Sequence, residues 1–229
     1  MLKTNLKNTA ILIFANTSTE EVKRKKIVNG HDVFEHLNQK IYHEAKKTGL
    51  DVIFYSEEHQ KGNSFGERFS NAIKHVFSEG YNHVITVGND SPDLKARHLT
   101  IAQNNLDDNT LTVGPSLDGG TYLITLSKKE FNEQEFAKLP WQTSKLLATL
   151  QKHLVAKNEN IQQLEFLKDV DNLTDLKYFL SRFNGIDTIL KKLILDLISL
   201  VKKIVLSITH GYKEHQHIAY YNKGSPILH

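Results

Sequence analysis

The sequence predicts an α/β protein, a three-layer αβα sandwich around a mostly parallel sheet. Three observations carry this expectation. Short apolar or β-branched runs of the kind buried on both faces, Ala10–Ala15, Asp51–Tyr55 and Val84–Val87, recur through the first half of the chain. The stretches between them include apolar residues at helical spacing. Strand, helix, strand, helix, strand is the order that right-handed crossovers turn into a parallel sheet covered by helices on both faces.

The elements follow in order. Ala10–Ala15 is the first buried strand, bounded by Asn8 and Asn16. The polar stretch Asn16–Asn29 follows it and contains the basic run Lys23-Arg24-Lys25-Lys26. From Val33 the residues Phe34, Leu37, Ile41, Tyr42 and Ala45 mark a helix, with Gly49 just past its end. Asp51–Tyr55 is the second strand. A helix carrying Phe69, Ala72, Ile73, Val76 and Phe77 stops at Gly80, and Val84–Val87 is the third strand. Leu99–Leu106 continues as helix, Thr110–Gly114 and Tyr122–Leu126 as strands, and Phe131 and Phe136 mark a short helix. Thr143–Leu154 is a clearer helix, Ile161–Phe166 the final strand, and a helix begins at Leu173. Ile186–Ile208 has a broad apolar stripe, but Lys191, Lys192, Asp196, Lys202 and Lys203 interrupt it too often for a membrane span. It reads as a helix packing on the domain or a second copy, with a membrane-surface helix as the minority reading. The organisation expected is one main domain over 1–182 and an appendage, helix and polar tail, over 183–229.

Composition narrows the class. The 229 residues can bury one substantial core, and neither a repeat nor a low-complexity segment divides them. A net charge of +3, from 29 basic and 26 acidic residues, is too balanced to argue for a nucleic-acid partner. Arginine stands only at Arg24, Arg68, Arg97 and Arg182, which singles these out, since only arginine offers a planar fork to phosphate or carboxylate. The absence of cysteine excludes disulfides, thiolate metal sites and cysteine nucleophiles. With a polar Met1–Ala10 and no signal-peptide pattern, a cytoplasmic location is expected.

Chemistry concentrates just beyond predicted strands, where ligands sit in an open α/β sheet. Gly88-Asn89-Asp90-Ser91-Pro92-Asp93-Leu94 places two carboxylates after the third strand, either as ligands for Mg²⁺ or Mn²⁺ or as caps of the following helix. Asp118-Gly119-Gly120-Thr121 is either a backbone cradle with hydroxyl-orienting side chains or a hairpin turn. Asp169 and Asp171 follow the last strand, as site acids or as the cap of the helix from Leu173. Arg68, near Gly66 at a helix start, suits an anion, with a surface Glu67–Arg68 pair as the plainer alternative. Trp141, the one tryptophan, precedes a helix start as a stacking wall or a core residue. His210, His215 and His217 read as polar residues of a mobile tail rather than metal ligands.

Together the segments Gly66-Glu67-Arg68, Gly88–Leu94, Gly114–Ile124 and Trp141–Ser144 resemble, in order and spacing, a bacterial family of glycosyltransferase-like proteins, the radical-SAM/selenodomain-associated transferases 1. The resemblance runs from about Ile11 to about Leu180. Asp169-Val170-Asp171-Asn172 followed by Asp175-Leu176 looks like the closing motif of the wider nucleotide-diphospho-sugar transferase superfamily. The resemblance implies a GT-A (Rossmann-like) fold, Asp90 as metal and nucleotide contact, and Asp171 as second metal ligand. It implies Asp90 and Asp118 as catalytic residues, and Gly119, Gly120, Thr121, Trp141 and Thr143 as substrate contacts. Nucleotide contacts are expected from Ala15, Asn16, Lys23, Arg24, Arg68 and Asn89. One departure is plain: the family's glycine-containing loop after the first strand is replaced by Asn16-Thr17-Ser18-Thr19-Glu20-Glu21.

The function so implied is transfer of a sugar from a nucleoside diphosphate-sugar to a small or membrane-associated acceptor, with a divalent cation neutralising the leaving diphosphate. Asp118 would orient or deprotonate the acceptor hydroxyl. The same acids would also serve a guanylyltransferase-like nucleotidyltransferase acting on a phosphorylated small molecule. The altered loop motivates a third reading, a nucleotide-binding relative without turnover.

Overall fold

The computed structural model describes residues 9–106, 110–156, 160–182 and 187–221. In chain order the elements are β1 (Thr9–Phe14), α1 (Ser18–Lys25), α2 (His31–Lys46), β2 (Asp51–Tyr55), α3 (Phe65–Ser78), β3 (His83–Val87) and α4 (Ala96–Asn104). Then come β4 (Thr110–Pro115), β5 (Thr121–Ser127), α5 (Glu133–Ala137), α6 (Leu146–Ala156), β6 (Asn160–Gln163), α7 (Leu173–Ser181) and α8 (Thr188–Tyr221). The six strands form one sheet in the order β2-β1-β3-β5-β4-β6. Only β5 runs against the rest, pairing antiparallel with β3 and β4, while β1–β2, β1–β3 and β4–β6 are parallel.

β1 explains why the strands read as unbroken apolar runs. Ile11 and Ile13 face one side, with Ile41, Ala45, Leu99 and Ala102 of α2 and α4. Ala10, Leu12 and Phe14 face the other, with Phe69, Ala72, Ile73 and Val76 of α3. A strand covered on both faces has no polar side to alternate with. A third cluster joins the outer side of α2, through Val33, Phe34 and Leu37, to Leu176 and Phe179 of α7 and to Leu190, Ile194 and Leu197 of α8. The start of α8 is pinned to α2 as well: Asp187 accepts the Leu190 backbone N–H at 2.7 Å and pairs with Lys40 at 3.1 Å.

Two expectations need correction. The polar stretch after β1 is not all loop, because α1 occupies Ser18–Lys25. It has almost no apolar periodicity to announce it. What holds it is Thr17 as N-cap, Glu20 and Glu21 in the first turn, Lys23, Arg24 and Lys25 in the last, and Lys26 in the left-handed region at its C-cap. At the C-terminus, α8 runs on to Tyr221, so the backbone at His210, His215 and His217 is helical rather than a tail. Their side chains lie outside the described residues. Among the described residues no helix is long and apolar enough to cross a membrane.

Candidate functional site

The carboxyl ends of β1, β3, β4 and β6 meet at one edge of the sheet, and three asparagines fasten the first two. Asn89, buried just past β3, donates to Asn38 Oδ1 at 2.7 Å, and Asn38 Nδ2 donates to the Asn16 carbonyl at 3.1 Å. The segment after β6 lies alongside, because the Val170 backbone N–H donates to the Asp90 carbonyl at 2.8 Å. That bond sets Asp169 and Asp171 on either side of the Asp90 turn. The β4–β5 connection closes the edge from the far side, with Asp118 Oδ1 accepting the Gly120 backbone N–H at 2.9 Å.

Gly119 is required here. Its φ of +91° belongs to the left-handed region, and a Cβ would stand 2.4 Å from the Ser144 carbonyl oxygen. This close approach brings the Trp141–Ser144 segment against the β4–β5 loop. Trp141 is anchored rather than free: its ring lies 4.8 Å from Phe136 and 5.2 Å from Phe69, and its Nε1 donates to the Phe136 carbonyl at 2.8 Å. One edge of it still borders the cleft.

The resulting cleft has a volume of about 470 Å³. Of the residues expected from sequence, Ala15, Asn16, Arg24, Asn89, Asp90, Asp118, Gly120, Thr121, Trp141, Thr143 and Asp171 line it. Lys23, Arg68 and Gly119 do not. Lys23 points outward, 69% exposed, and pairs with Glu20. On α3 the side chains that reach the cleft are Phe65 and Phe69, leaving Arg68 off it. Asp93 turns away from the cleft to pair with Arg182.

Three cleft residues were missed or undervalued by the sequence reading: Lys25, Glu21 and Asp169. Lys25 comes off the last turn of α1 with its side chain only 11% exposed. Its Nζ donates to Asp90 Oδ2 at 3.0 Å, to Asp171 Oδ1 at 3.3 Å and to the Val170 carbonyl. Glu21, one helical turn earlier, lies 3.8 Å from the same ammonium and accepts from Asn16 Nδ2 at 2.8 Å. Burial acts against the Lys25 charge, yet Asp90, Glu21 and Asp171 outweigh it and hold the ammonium above the usual lysine range. Burial raises the Glu21 carboxyl even with Lys25 beside it. Asp169 is pushed up to about 7, by burial first and then by the neighbouring Asp90 charge, while the Ser91 hydroxyl donates to its Oδ1. A capping signal, Thr17 followed by Glu20, and the Glu21–Lys25 spacing of one turn were the signs that could have exposed Lys25.

Asp90 is not a helix cap. Its carboxylate faces Lys25, and α4 starts at the N-cap Lys95. Asp90 and Asp171 do converge as a metal pair would, but on an ammonium. Among the described residues no group of three or more histidines, cysteines or acids could hold a metal ion. As arranged, these side chains fit the lysine and do not fit a divalent cation.

The helix N-terminus nearest the replaced loop carries an internal anion. Glu57, from the connection after β2, accepts the Thr17 backbone N–H at 2.7 Å and the Thr17 hydroxyl at 2.6 Å. Against the effect of burial, these bonds hold the Glu57 carboxyl below its usual value.

A family described as uncharacterized proteins conserved in bacteria (DUF2064) matches residues 19–143. No curated protein matches the chain. Among solved structures, a candidate nucleotide-diphospho-sugar transferase from Desulfovibrio desulfuricans G20 is similar over 86% of this chain and 97% of its own, at 21% identity and a TM-score of 0.70. A homologue of a Mycobacterium tuberculosis protein, from Mycobacterium sp. strain JC1, is similar over 84% and 98%, at 11% identity and a TM-score of 0.48. The M. tuberculosis H37Rv protein itself, in complex with manganese, covers 74% and 96%, at 15% identity and a TM-score of 0.43. The first of these likenesses establishes a shared fold.

Proposed function

The chain belongs to the DUF2064 family, and from that footing we propose that its cleft binds a nucleoside diphosphate-sugar and passes the sugar to a small or membrane-associated acceptor. The observation that carries the proposal is the cleft itself: a largely buried lysine, two half-exposed aspartates and a partly buried aspartate gathered at the carboxyl edge of a sheet shared with a candidate nucleotide-diphospho-sugar transferase. Membership of the radical-SAM/selenodomain-associated transferases 1 is part of the same reading, as is a cytoplasmic location. The reaction is assigned to residues 1–182, with 183–229 as an appendage. Contact of the outward face of α8 with a second copy or a membrane surface is supported by its exposed Ile189, Leu195, Leu200 and Ile204.

In the transfer, an acceptor hydroxyl oxygen bonds to the anomeric carbon as the bond to the diphosphate oxygen breaks. The hydroxyl proton goes to a cleft carboxylate. Asp169 suits this task better than Asp118, since a carboxyl near 7 is a stronger base and is poised at working pH. Asp118, with one oxygen taken by the Gly120 N–H, is better placed to orient the acceptor. Lys25 and Arg24 supply positive charge toward the leaving diphosphate from one wall. Trp141, Thr121 and Thr143 border the space left for the sugar and acceptor. The Mg²⁺ or Mn²⁺ expected from the sequence enters no step here, because the residues assigned to it hold Lys25.

Isothermal titration with UDP-, GDP- and CDP-sugars, with and without Mn²⁺, tests the proposal. Binding of at least one is expected, and silence across the panel would sink it. Pyrophosphate release from nucleoside triphosphates with phosphorylated acceptors would move the reaction to nucleotidyl transfer. A second reading, nucleotide binding without turnover, is supported by the Glu57 carboxylate at the start of α1, the place of the replaced loop. Binding with no transfer to any acceptor or to water would favour it.

A further inference from the structure

The tightest arrangement in the cleft is the one that sequence did not foresee. Three oxygens from two separate segments converge on one nitrogen: Asp90 Oδ2 at 3.0 Å, Asp171 Oδ1 at 3.3 Å and the Val170 carbonyl. Glu21 Oε2 stands behind them at 3.8 Å, buried and without a hydrogen-bond partner. A lysine whose side chain is 11% exposed is held there by the backbone of α1, not by chance on a surface. The charges around it come from every wall: Glu21 and Arg24 from α1, Asp90 from the turn after β3, Asp169 and Asp171 from the segment after β6.

A divalent ion bound to Asp90 and Asp171 would sit about 2.0–2.6 Å from their oxygens. That point lies against the ammonium, so an ion that takes the Asp90 Oδ2 and Asp171 Oδ1 oxygens competes with the lysine that already holds them. We propose that Lys25 is the resident cation of this cleft, filling the point where Asp90, Asp171 and the Val170 carbonyl converge, so that the diphosphate of a nucleotide is met by an ammonium and not by a divalent ion. The diphosphate identity rests on the transferase reading. The competition between ion and lysine does not.

Mn²⁺ alone, with no nucleotide, is therefore the probe. Free Mn²⁺ is followed by electron paramagnetic resonance as it is titrated into the full chain, Lys25→Met, and Lys25→Met combined with Asp90→Asn. The wild-type chain is expected to bind weakly, Lys25→Met to bind at least about tenfold more tightly, and the double variant to lose that gain. Equal affinity in wild type and Lys25→Met overturns the proposal. Circular dichroism checks that the variants fold. Should Lys25→Met fail to fold, amine acetylation of the wild-type chain read by mass spectrometry decides: Lys25 labelling unchanged by Mn²⁺ supports the proposal, and a several-fold rise shows that the ion displaces the lysine and overturns it. Because no nucleotide is present, failure here leaves the transferase reading standing, and failure of nucleotide binding leaves this result standing.

Discussion

The ammonium of Lys25 lies 3.0 Å from Oδ2 of Asp90, a contact that spans 65 positions of sequence and ties α1 to the turn after β3. Asp171 and Glu21 share the same ammonium. Removing the lysine leaves three carboxylates facing one another, whereas removing Asp90 leaves Lys25 two partners. Lys25→Met should therefore cost about 3 kcal/mol, and Asp90→Asn about 1 kcal/mol. The double variant should be less destabilised than the sum of the two by about 1 kcal/mol or more, since the partners no longer oppose a missing charge. Urea unfolding of all four proteins measures this. Additive effects would mean that the two residues are not coupled.

Gly119→Ala tests the join between the β4–β5 loop and the Trp141–Ser144 segment. The new methyl meets both an unfavourable φ and the Ser144 carbonyl at 2.4 Å, so the loop must shift. A loss of about 2 kcal/mol or more is expected in thermal unfolding. Gly120→Ala is the control: its Cβ would meet only the Asp118 carboxylate at 3.1 Å, a side chain that can give way.

Trp141 offers a direct optical probe, because it is the only tryptophan in the chain and borders the cleft. Its emission should change on nucleotide-sugar binding, and an emission unchanged at saturating nucleotide-sugar would place the ligand away from Trp141. Trp141→Phe keeps most of the aromatic packing but gives up the 2.8 Å bond to the Phe136 carbonyl. The expected cost is about 0.5–1.5 kcal/mol, the net contribution of one hydrogen bond, because the Phe136 carbonyl still accepts the Leu139 backbone N–H at 3.3 Å. A wholly neutral substitution in urea unfolding would show that the bond contributes nothing.

The strands and the edge where the acids gather were readable, because a doubly covered strand leaves an apolar run and the residue after it must face the ligand side. Asp90, Asp118 and Asp171 each follow a strand and line the cleft. α1 was not readable, since Ser18–Lys25 carries a single large apolar residue, Val22, and its stability comes from caps, end charges and Glu57. Without the helix there is no phase, and without phase the run Lys23-Arg24-Lys25-Lys26 has no inward member. The pattern therefore points to Lys23, which is exposed, where Lys25 is the one turned inward. Asp169 and Asp171 were both in view, but burial separates them by the course of the chain after β6, which sequence pattern does not encode.

The seat of α8 predicts a sharp contrast between adjacent positions. Ile194 is fully buried against α2 and α7, while Leu195 is 50% exposed. Ile194→Ala should cost about 2–4 kcal/mol and Leu195→Ala within about 0.5 kcal/mol, measured by urea unfolding. Equal small effects would show that α8 contributes nothing to the folded unit.

Asp169 gives the pH dependence a sign opposite to that of most carboxylates. Its ordinary value is 3.8 and in the fold it is about 7. Between these pH values the folded chain keeps a proton that the unfolded chain has lost, so stability from this residue falls as pH rises from about 4 to 7 and is level above. With about 1.4 kcal/mol per pH unit, and a discount for coupling to Asp90, the loss is about 2–4 kcal/mol. Asp187, Glu44 and Asp175 are held below their ordinary values, so their contributions are complete by about pH 5 and act the other way. Glu21, raised like Asp169, remains in both proteins when Asp169 alone is changed and cancels in the comparison. Asp169→Asn stays neutral at every pH and keeps an acceptor for the Ser91 hydroxyl. In urea unfolding it should match the wild type within about 1 kcal/mol at pH 5 and exceed it by about 2 kcal/mol or more at pH 8. A wild-type advantage that is the same at both pH values would show that Asp169 titrates as an ordinary surface carboxylate and would remove it as the proton acceptor of the proposed transfer.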